Sequence, residues 1–306
     1  MAPSLSATSP ASARAVPNEH ESTEHARALH RGERFAFGAN WRRFLDVLDE
    51  DRIREAERSI RELLGVKDLS GRRFLDVGCG SGLFSLAARR LGARVRSFDF
   101  DPTSVACTAE LRRRYAKDDD DDWTIEEASV LNATYLAALG THDVVYSWGV
   151  LHHTGAMWRA LENVASLVAD GGSLAIAIYN DQGPWSNRWR FIKRTYCSGA
   201  TGRRLVCATC IPAFVLRGLV SDAIGGRNPF ARYTEYRRNR GMSVFHDWID
   251  WLGGYPFEVA KPEAIFDYFR QRGFELIRLS TAGGTVGCNE FVFRRSGADS
   301  HVVKER

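Results

Sequence analysis

Between residues 73 and 179, apolar residues follow two alternating patterns, one typical of strands and one typical of helices. Short runs typical of buried strands occupy residues 73–77, 94–98, 124–127, 143–147 and 173–179. Segments with helical apolar spacing lie between them, at residues 83–91, 102–115 and 156–168. Strands that alternate with helices in this way predict an α/β fold, with a doubly wound, mostly parallel sheet covered on both faces.

The segments outside this alternation divide the chain further. Residues 1–32 are rich in Ala, Ser, Pro and Thr and lack apolar periodicity, so we expect a disordered tail. Helical spacing predicts an N-terminal helical cap at residues 33–65, ahead of a core at residues 66–182. Residues 262–295 contain one further helix and two strands that complete the core, and residues 296–306 are a C-terminal tail.

Residues 183–261, named here the basic module, are predicted to form an inserted helical lid. Between residues 183 and 245, 12 Arg and Lys stand against 2 acidic residues, a local charge of +10 in a chain of net charge +4. That charge indicates either an anionic acceptor or a solvated basic face. The apolar run at residues 205–216 favours a buried lid helix, with peripheral membrane contact as the alternative. Since no apolar run reaches the roughly 18 residues of a spanning helix, we do not expect a membrane-spanning protein.

Composition adds constraints on the class of protein. With 44% hydrophobic and 26% charged residues, the chain is neither wholly disordered nor fibrous. Six sparse, irregularly spaced cysteines favour a reduced, cytoplasmic protein, and Cys207 and Cys210 are interpreted as core residues. The acidic run at residues 118–122 is interpreted as a solvated loop, and no metal site is predicted.

The clearest chemical signal is a strand that leads into three alternating glycines, Gly78, Gly80 and Gly82. Glycine lets the backbone turn sharply and approach a ligand, at the sheet edge where parallel strands bind nucleotides. Asp99 ends the next strand, 21 residues after Gly78, where a carboxylate accepts hydrogen bonds from ribose hydroxyls. A nicotinamide dinucleotide is disfavoured, because the third glycine comes one residue early and Asp76 would repel a pyrophosphate. A cationic amino-acid group would instead be attracted to Asp76.

Two motifs in this region resemble those of class I S-adenosylmethionine-dependent methyltransferases, most nearly the ubiquinone-biosynthesis O-methyltransferases. They are Asp-Val-Gly-Cys-Gly-Ser-Gly at residues 76–82 and Asp-Val-Val-Tyr-Ser-Trp-Gly-Val-Leu-His-His-Thr at residues 143–154. The resemblance covers residues 66–180, and residues 262–295 as the last helix and antiparallel strand pair. It implies a seven-stranded Rossmann-like sheet and S-adenosyl-L-methionine as the cofactor.

The resemblance also implies which residues hold that cofactor. The glycine turn would line its methionine part, Asp76 would position its amino group, and Phe100 would pack on its adenine. Ser129 stands where the family often carries an acid for the adenine amino group, so the backbone of Val130 is the expected contact. The full implied set is Asp76, Gly78, Gly80, Gly82, Asp99, Phe100, Ser129, Val130, Ser147 and Trp148.

Two adjacent histidines, His152 and His153, follow the fourth strand and are candidates for the catalytic base. A neutral histidine is suited to take a proton from a hydroxyl nucleophile. Adjacent residues leaving a strand point in opposite directions, so one of the two is expected to face the acceptor, and the family pattern favours His153. A histidine that only orders the loop is the alternative. Candidate acceptor contacts, each with ordinary packing as the alternative, are Asn40, Trp41, Tyr179, Asn180 and His246.

These features together predict methyl transfer to a hydroxyl of a small or medium-sized organic acceptor, anionic or lipophilic. An N- or S-methyltransferase and a non-catalytic S-adenosylmethionine-binding module stay open as alternatives, because all three would use the same cofactor residues. Nucleic acid is not the expected partner, since the basic module carries no RNA-binding motif and no regular alternation of aromatic and basic residues.

Overall fold

A seven-stranded sheet forms the centre of the computed structural model, which describes residues 19–116, 121–226, 228, 244–284 and 286–297. The strands are β1 (Arg73–Val77), β2 (Arg94–Asp99), β3 (Trp123–Glu127), β4 (His142–Trp148), β5 (Val168–Tyr179), β6 (Phe274–Ser280) and β7 (Cys288–Arg295). Their order is β3-β2-β1-β4-β5-β7-β6, parallel except for β7, which runs antiparallel to β5 and β6. The predicted fold class is therefore confirmed.

Helices cover both faces of this sheet. They are α1 (Glu19–His30), α2 (Gly38–Leu45), α3 (Glu50–Leu64), α4 (Leu83–Arg90), α5 (Pro102–Tyr115), α6 (Ala133–Leu139), α7 (Met157–Ser166), α8 (Pro184–Cys197), α9 (Ala200–Ile224), α10 (Val244–Gly253) and α11 (Pro262–Arg270). One apolar core joins the sheet to α7 and α11, and a second joins its other face to α3, α4 and α5. Short α6, which the apolar pattern did not predict, begins at the side-chain cap of Asn132.

Asp101 attaches the N-terminal cap to the core. Its Oδ1 accepts the backbone N–H of Thr103 at 2.8 Å and so caps the start of α5. Its Oδ2 accepts the backbone N–H of Gly38, at the start of α2, also at 2.8 Å. One buried carboxylate therefore fixes α2 beside the loop that follows β2, at the carboxyl edge of the sheet.

The prediction of a disordered tail over residues 1–32 is wrong for its second half. Residues 19–30 form helix α1, and His25 on this helix is buried against the loop after β2. Asn18 followed by Glu21 three residues later is a helix-start pattern, and Arg27 and His30 suit a helix end. Those signals were outweighed by the Ala, Ser and Pro content of residues 1–18, which lie outside the described residues.

Helix α9 is also more exposed to solvent than the sequence predicted. The buried-lid interpretation is wrong, because only 11% of its most apolar 18-residue window is buried. That window has a mean hydropathy of 1.6, so by length and composition the helix is able to cross a membrane, contrary to the sequence-based exclusion. The difference arises because the helix continues on both sides of the 205–216 run and through Pro212, to a total of 25 residues.

Candidate active site

A cavity of about 300 Å³ opens at the carboxyl edge of the sheet, between the ends of β1, β2 and β4 and the N-terminal cap. Parallel sheets bind ligands at this edge, next to the point where the strand order reverses. Ten of the predicted site residues line it: Trp41, Asp76, Gly78, Gly80, Asp99, Phe100, Ser129, Val130, Trp148 and His153. Six described ones do not, namely Asn40, Gly82, Ser147, His152, Tyr179 and Asn180.

The glycine turn approaches its neighbours more closely than any side chain allows. Gly78 has φ +79°, and a Cβ there would lie 2.4 Å from a Val150 methyl. Gly80 has φ +56°, and its Cβ would lie 2.9 Å from the Trp41 indole nitrogen. Gly82 has a different position, behind the cavity, where a Cβ would meet Thr108 of α5 at 2.8 Å. The first two glycines leave room for a ligand, and the third lets α4 pack on α5.

Asp99 presents a carboxylate to the cavity with half of its acceptor capacity already used. Its Oδ2 accepts the N–H of Gly80 and its Oδ1 accepts the N–H of Asp101, each at 2.9 Å. Burial raises the pKa of Asp99 to about 6, although these two backbone N–H groups oppose the rise. The lone pairs that remain on the two oxygens are available to a pair of ribose hydroxyls.

Asp76 ends a chain of buried hydrogen bonds. The indole N–H of Trp123 donates to Ser97 Oγ at 2.9 Å, Ser97 donates to Ser85 Oγ at 2.8 Å, and Ser85 donates to Asp76 Oδ2 at 2.5 Å. The indole N–H only donates and the ionised Asp76 carboxylate only accepts, so the hydrogen bonds run from Trp123 towards Asp76. Burial nevertheless raises the pKa of Asp76 to about 7, helped by the nearby charge of Asp99. The sequence analysis did not identify Ser85, Ser97 or Trp123.

The two histidines have different environments. His153 lines the cavity, and its Nδ1 lies 2.6 Å from the carbonyl oxygen of Pro256, so Nδ1 carries the proton and donates it to that bond. Burial lowers the pKa of His153 to about 3, which keeps the ring neutral and leaves Nε2 as the acceptor nitrogen. His152 is fully buried below it, accepts the Tyr179 N–H through Nδ1 at 3.3 Å, and does not reach the cavity.

The N-terminal cap contributes residues that the sequence analysis missed. Arg34 lies with its guanidinium 4.9 Å from the Phe100 ring centre and donates to the carbonyl oxygens of His153 and Thr154. The His25 ring lies edge-on to Phe100, with ring centres 5.3 Å apart. Both side chains line the cavity. The cap therefore touches the predicted adenine-packing residue and the loop that carries the candidate base.

The remaining predicted residues lie close by without facing the cavity. Ser147 donates to the Val77 carbonyl oxygen at 2.9 Å and joins β4 to β1. The Tyr179 ring packs on the His152 ring, with centres 3.9 Å apart, and Asn180 accepts a hydrogen bond from the Asn289 amide at 3.1 Å. Asn40 is buried in α2, and the side chain of His246 lies outside the described residues.

The lining fits an adenosyl sulfonium amino acid. Two glycines without side chains line the cavity, a ring stands at Phe100 for a flat base, and Asp99 offers acceptors to a diol. Asp76 supplies a carboxylate for an ammonium group. Within the described residues, no three His, Cys, Asp or Glu side chains converge as a metal site would require.

Sequence similarity to known proteins identifies the family of this chain. A methyltransferase-domain family model matches residues 48–208, just over half of the chain. The ubiquinone biosynthesis O-methyltransferase of Methylocella silvestris is 30% identical over 180 residues, covering 54% of this chain and 68% of that protein. The tRNA U34 carboxymethyltransferase of Methylococcus capsulatus is 32% identical over 112 residues, covering 36% of this chain and 33% of that protein.

One solved structure, that of PKMT2 from Rickettsia typhi in complex with AdoHcy, has a similar fold. The match covers 78% of this chain and 52% of the PKMT2 chain. Its TM-score is 0.50 at 10% sequence identity, a likeness of the fold alone. Of the two sequence relatives above, the chain spans about a third of one and about two thirds of the other. The family match, the sheet order and the glycine turn agree, and the chain belongs to the class I S-adenosylmethionine-dependent methyltransferases, resembling the ubiquinone-biosynthesis O-methyltransferases.

Proposed function

We propose that the protein transfers a methyl group from S-adenosylmethionine to a hydroxyl oxygen of a small or medium-sized, lipophilic organic acceptor. The observation that carries the proposal is His153, a neutral imidazole that lines the cavity with its Nδ1 proton committed to Pro256. That hydrogen bond presents Nε2, the nitrogen that takes up a proton, to the space where an acceptor would bind.

His153 suits a late proton transfer. The sulfonium, when bound, supplies an electrophilic methyl group that leaves with the carbon–sulfur bond electrons remaining on sulfur. An acceptor hydroxyl oxygen becomes strongly acidic as it gains a third bond partner, the methyl carbon, so a base whose pKa is about 3 is strong enough to take the proton. His153 Nε2 accepts it, and the Pro256 carbonyl stabilises the resulting imidazolium through Nδ1.

The cap side of the cavity favours an apolar acceptor. Phe35, Phe37, Trp41 and Phe44 line it together, and the Phe37 ring centre lies 4.9 Å from that of His153. None of the basic residues of α8 and α9 lines the cavity, and among the described lining residues Arg34 alone is an arginine or lysine. The charge of α8 and α9 therefore does not argue for an anionic acceptor at this site.

The test uses the full chain and methyl-labelled S-adenosylmethionine, with three separate acceptor pools: an organic-solvent extract of cells, total RNA and total soluble protein. We expect label in the organic extract, and mass spectrometry should place the methyl group on oxygen. Label on nitrogen or sulfur, or in RNA or protein, would replace this proposal by the corresponding transferase. Label in no pool, together with tight S-adenosylhomocysteine binding, would favour a non-catalytic binding module.

A matched pair of variants tests the role of the base. His153→Ala should abolish most turnover and leave S-adenosylhomocysteine affinity intact, because the imidazole acts on the acceptor. His142→Ala removes another buried histidine, at the amino end of β4 and away from the cavity, and should leave turnover per folded molecule unchanged. Equal turnover in His153→Ala and wild type would leave catalysis to alignment alone.

A further inference from the structure

Helix α9 carries a continuous apolar stripe on its outer side. Leu205, Leu216, Leu219, Val220 and Ile224 are between 38% and 84% exposed. Their positions recur at three- to four-residue steps along the last turns, so they share one side of the helix. Exposed leucines that occur singly are ordinary on protein surfaces, but four exposed apolar side chains grouped on one side of the last turns of α9 mark an interaction surface.

The inner side of the same helix is already used. Val206 is buried there, and Ile211 and Phe214 pack with residues of α8 and α10. The Phe214 ring centre lies 6.2 Å from that of Trp189 on α8 and 5.5 Å from that of Trp248 on α10. One side of α9 therefore packs against α8 and α10, and its other side is exposed and able to contact a partner.

Helix α8, which packs against α9, also exposes aromatic and basic groups. Trp185 and Phe191 are 59% and 71% exposed. Exposed arginines alternate with them at three-residue steps, Arg188 between the two rings and Arg194 after them, and Arg188 lies 5.2 Å from the Trp185 ring centre. An exposed tryptophan with an arginine against its ring, as at Trp185 and Arg188, is typical of the boundary between lipid headgroups and acyl chains.

The charge of the two helices identifies the partner. Together α8 and α9 contain seven Arg and Lys and one acidic residue, Asp222, which is buried. We propose that the outer sides of α8 and α9 form a docking surface for an anionic lipid bilayer, on which the protein lies peripherally. The apolar stripe enters the acyl boundary, and the arginines contact the anionic headgroups.

Two other occupants fit the surface less well. A second copy of the chain would bring two basic modules together, each with a charge of +10 between residues 183 and 245, and like charges oppose that contact. A spanning helix would need lipid on all sides, whereas α9 has one side packed on α8 and α10 and carries exposed Arg217 among its apolar residues. An anionic membrane surface satisfies both the apolar stripe and the positive charge.

Vesicle flotation of the full chain tests the proposal, with vesicles of phosphatidylcholine alone and with about a third phosphatidylglycerol. We expect binding to the anionic vesicles, and release by alkaline carbonate, which extracts peripheral proteins. Leu216→Gln/Ile224→Gln should weaken binding about tenfold or more. Arg204→Gln/Arg217→Gln should weaken it about 25-fold at low salt, at about fivefold per arginine.

The matched control is Ile277→Gln/Leu279→Gln, which removes apolar groups of similar exposure, 44% and 43%, from edge strand β6. It should bind vesicles as the wild type does, and circular dichroism melting should show all three variants folded. Equal binding to both vesicle types would overturn the proposed contact between the arginines and anionic headgroups. Resistance to carbonate would indicate a spanning helix instead. If the wild type forms a dimer and binds no lipid, and the apolar variant of α9 is monomeric, the stripe would instead be the interface with a second copy of the chain.

Discussion

Replacing Asp76 by Asn should change how stability depends on pH. Burial raises the pKa of Asp76 from its ordinary 3.8 to about 7 in the folded protein. The protonated form therefore stabilises the fold at low pH, and that stabilisation is lost as the pH rises through about 7. The Asn side chain keeps an oxygen for the Ser85 hydroxyl, so the variant removes the titration and retains the hydrogen bond.

The magnitude follows from the size of the pKa rise. At about 1.4 kcal/mol per pKa unit, Asp76 accounts for about 4 kcal/mol of unfolding free energy across its whole titration. Roughly 2 to 3 kcal/mol of that change falls between about pH 5 and about pH 8. Over this range, the wild type should lose stability relative to Asp76→Asn by that amount. Asp99 titrates in both proteins, so the difference between them reports on Asp76.

Urea unfolding of the ligand-free proteins at a series of pH values measures this difference. Asp267→Asn, at a half-exposed carboxylate of α11, serves as the surface control and should follow the wild type at every pH. A stability difference between Asp76→Asn and wild type that stays constant from about pH 5 to about pH 8 would refute the reasoning. In that case the carboxylate would be solvated as it is in the unfolded chain.

Three further predictions concern the cavity. Asp99→Ala should weaken S-adenosylhomocysteine binding about 100-fold by calorimetry, because two hydrogen bonds to a charged group are lost; an unchanged affinity would place the ribose elsewhere. His153→Ala should lower kcat about 100-fold or more with ligand affinity kept, whereas His152→Ala should lower the melting temperature, since its ring is fully buried. Gly78→Ala should destabilise the protein, because its Cβ would lie 2.4 Å from a Val150 methyl at φ +79°. Val150→Ala should recover part of the lost melting temperature, and no recovery would mean that backbone strain alone is responsible.

The regular part of the fold was predictable because its signals are local. Each parallel strand is buried on both faces, so it appears as a short apolar run, and residues 73–77 were identified with the bounds that the structure shows. The cap of α5 is a signal of the same local kind, because Asp101 directly before Pro102 acts within its own helix turn. The two strands predicted within residues 262–295 are the antiparallel pair Phe274–Ser280 and Cys288–Arg295.

The environment of each helix was less predictable. Helix α9 and a buried core helix have the same apolar composition, and only the packing of α8 and α10 decides which side of α9 stays exposed. Helix α1 is short and polar, so its stability depends on contacts such as that of His25 with Phe100. The sequence contains the helix-start signal but not the partner.

The sequence by itself determined the sheet, the glycine turn and the two carboxylates at the strand ends, because strand burial and backbone freedom are properties of a few adjacent residues. Only the tertiary structure decided which groups meet. It joined Trp123, Ser97 and Ser85 into one donor chain to Asp76, separated the neighbouring His152 and His153 into core and cavity, and placed Arg34 beside Phe100. Those contacts join segments far apart in the chain, so their energies depend on packing that no local pattern records.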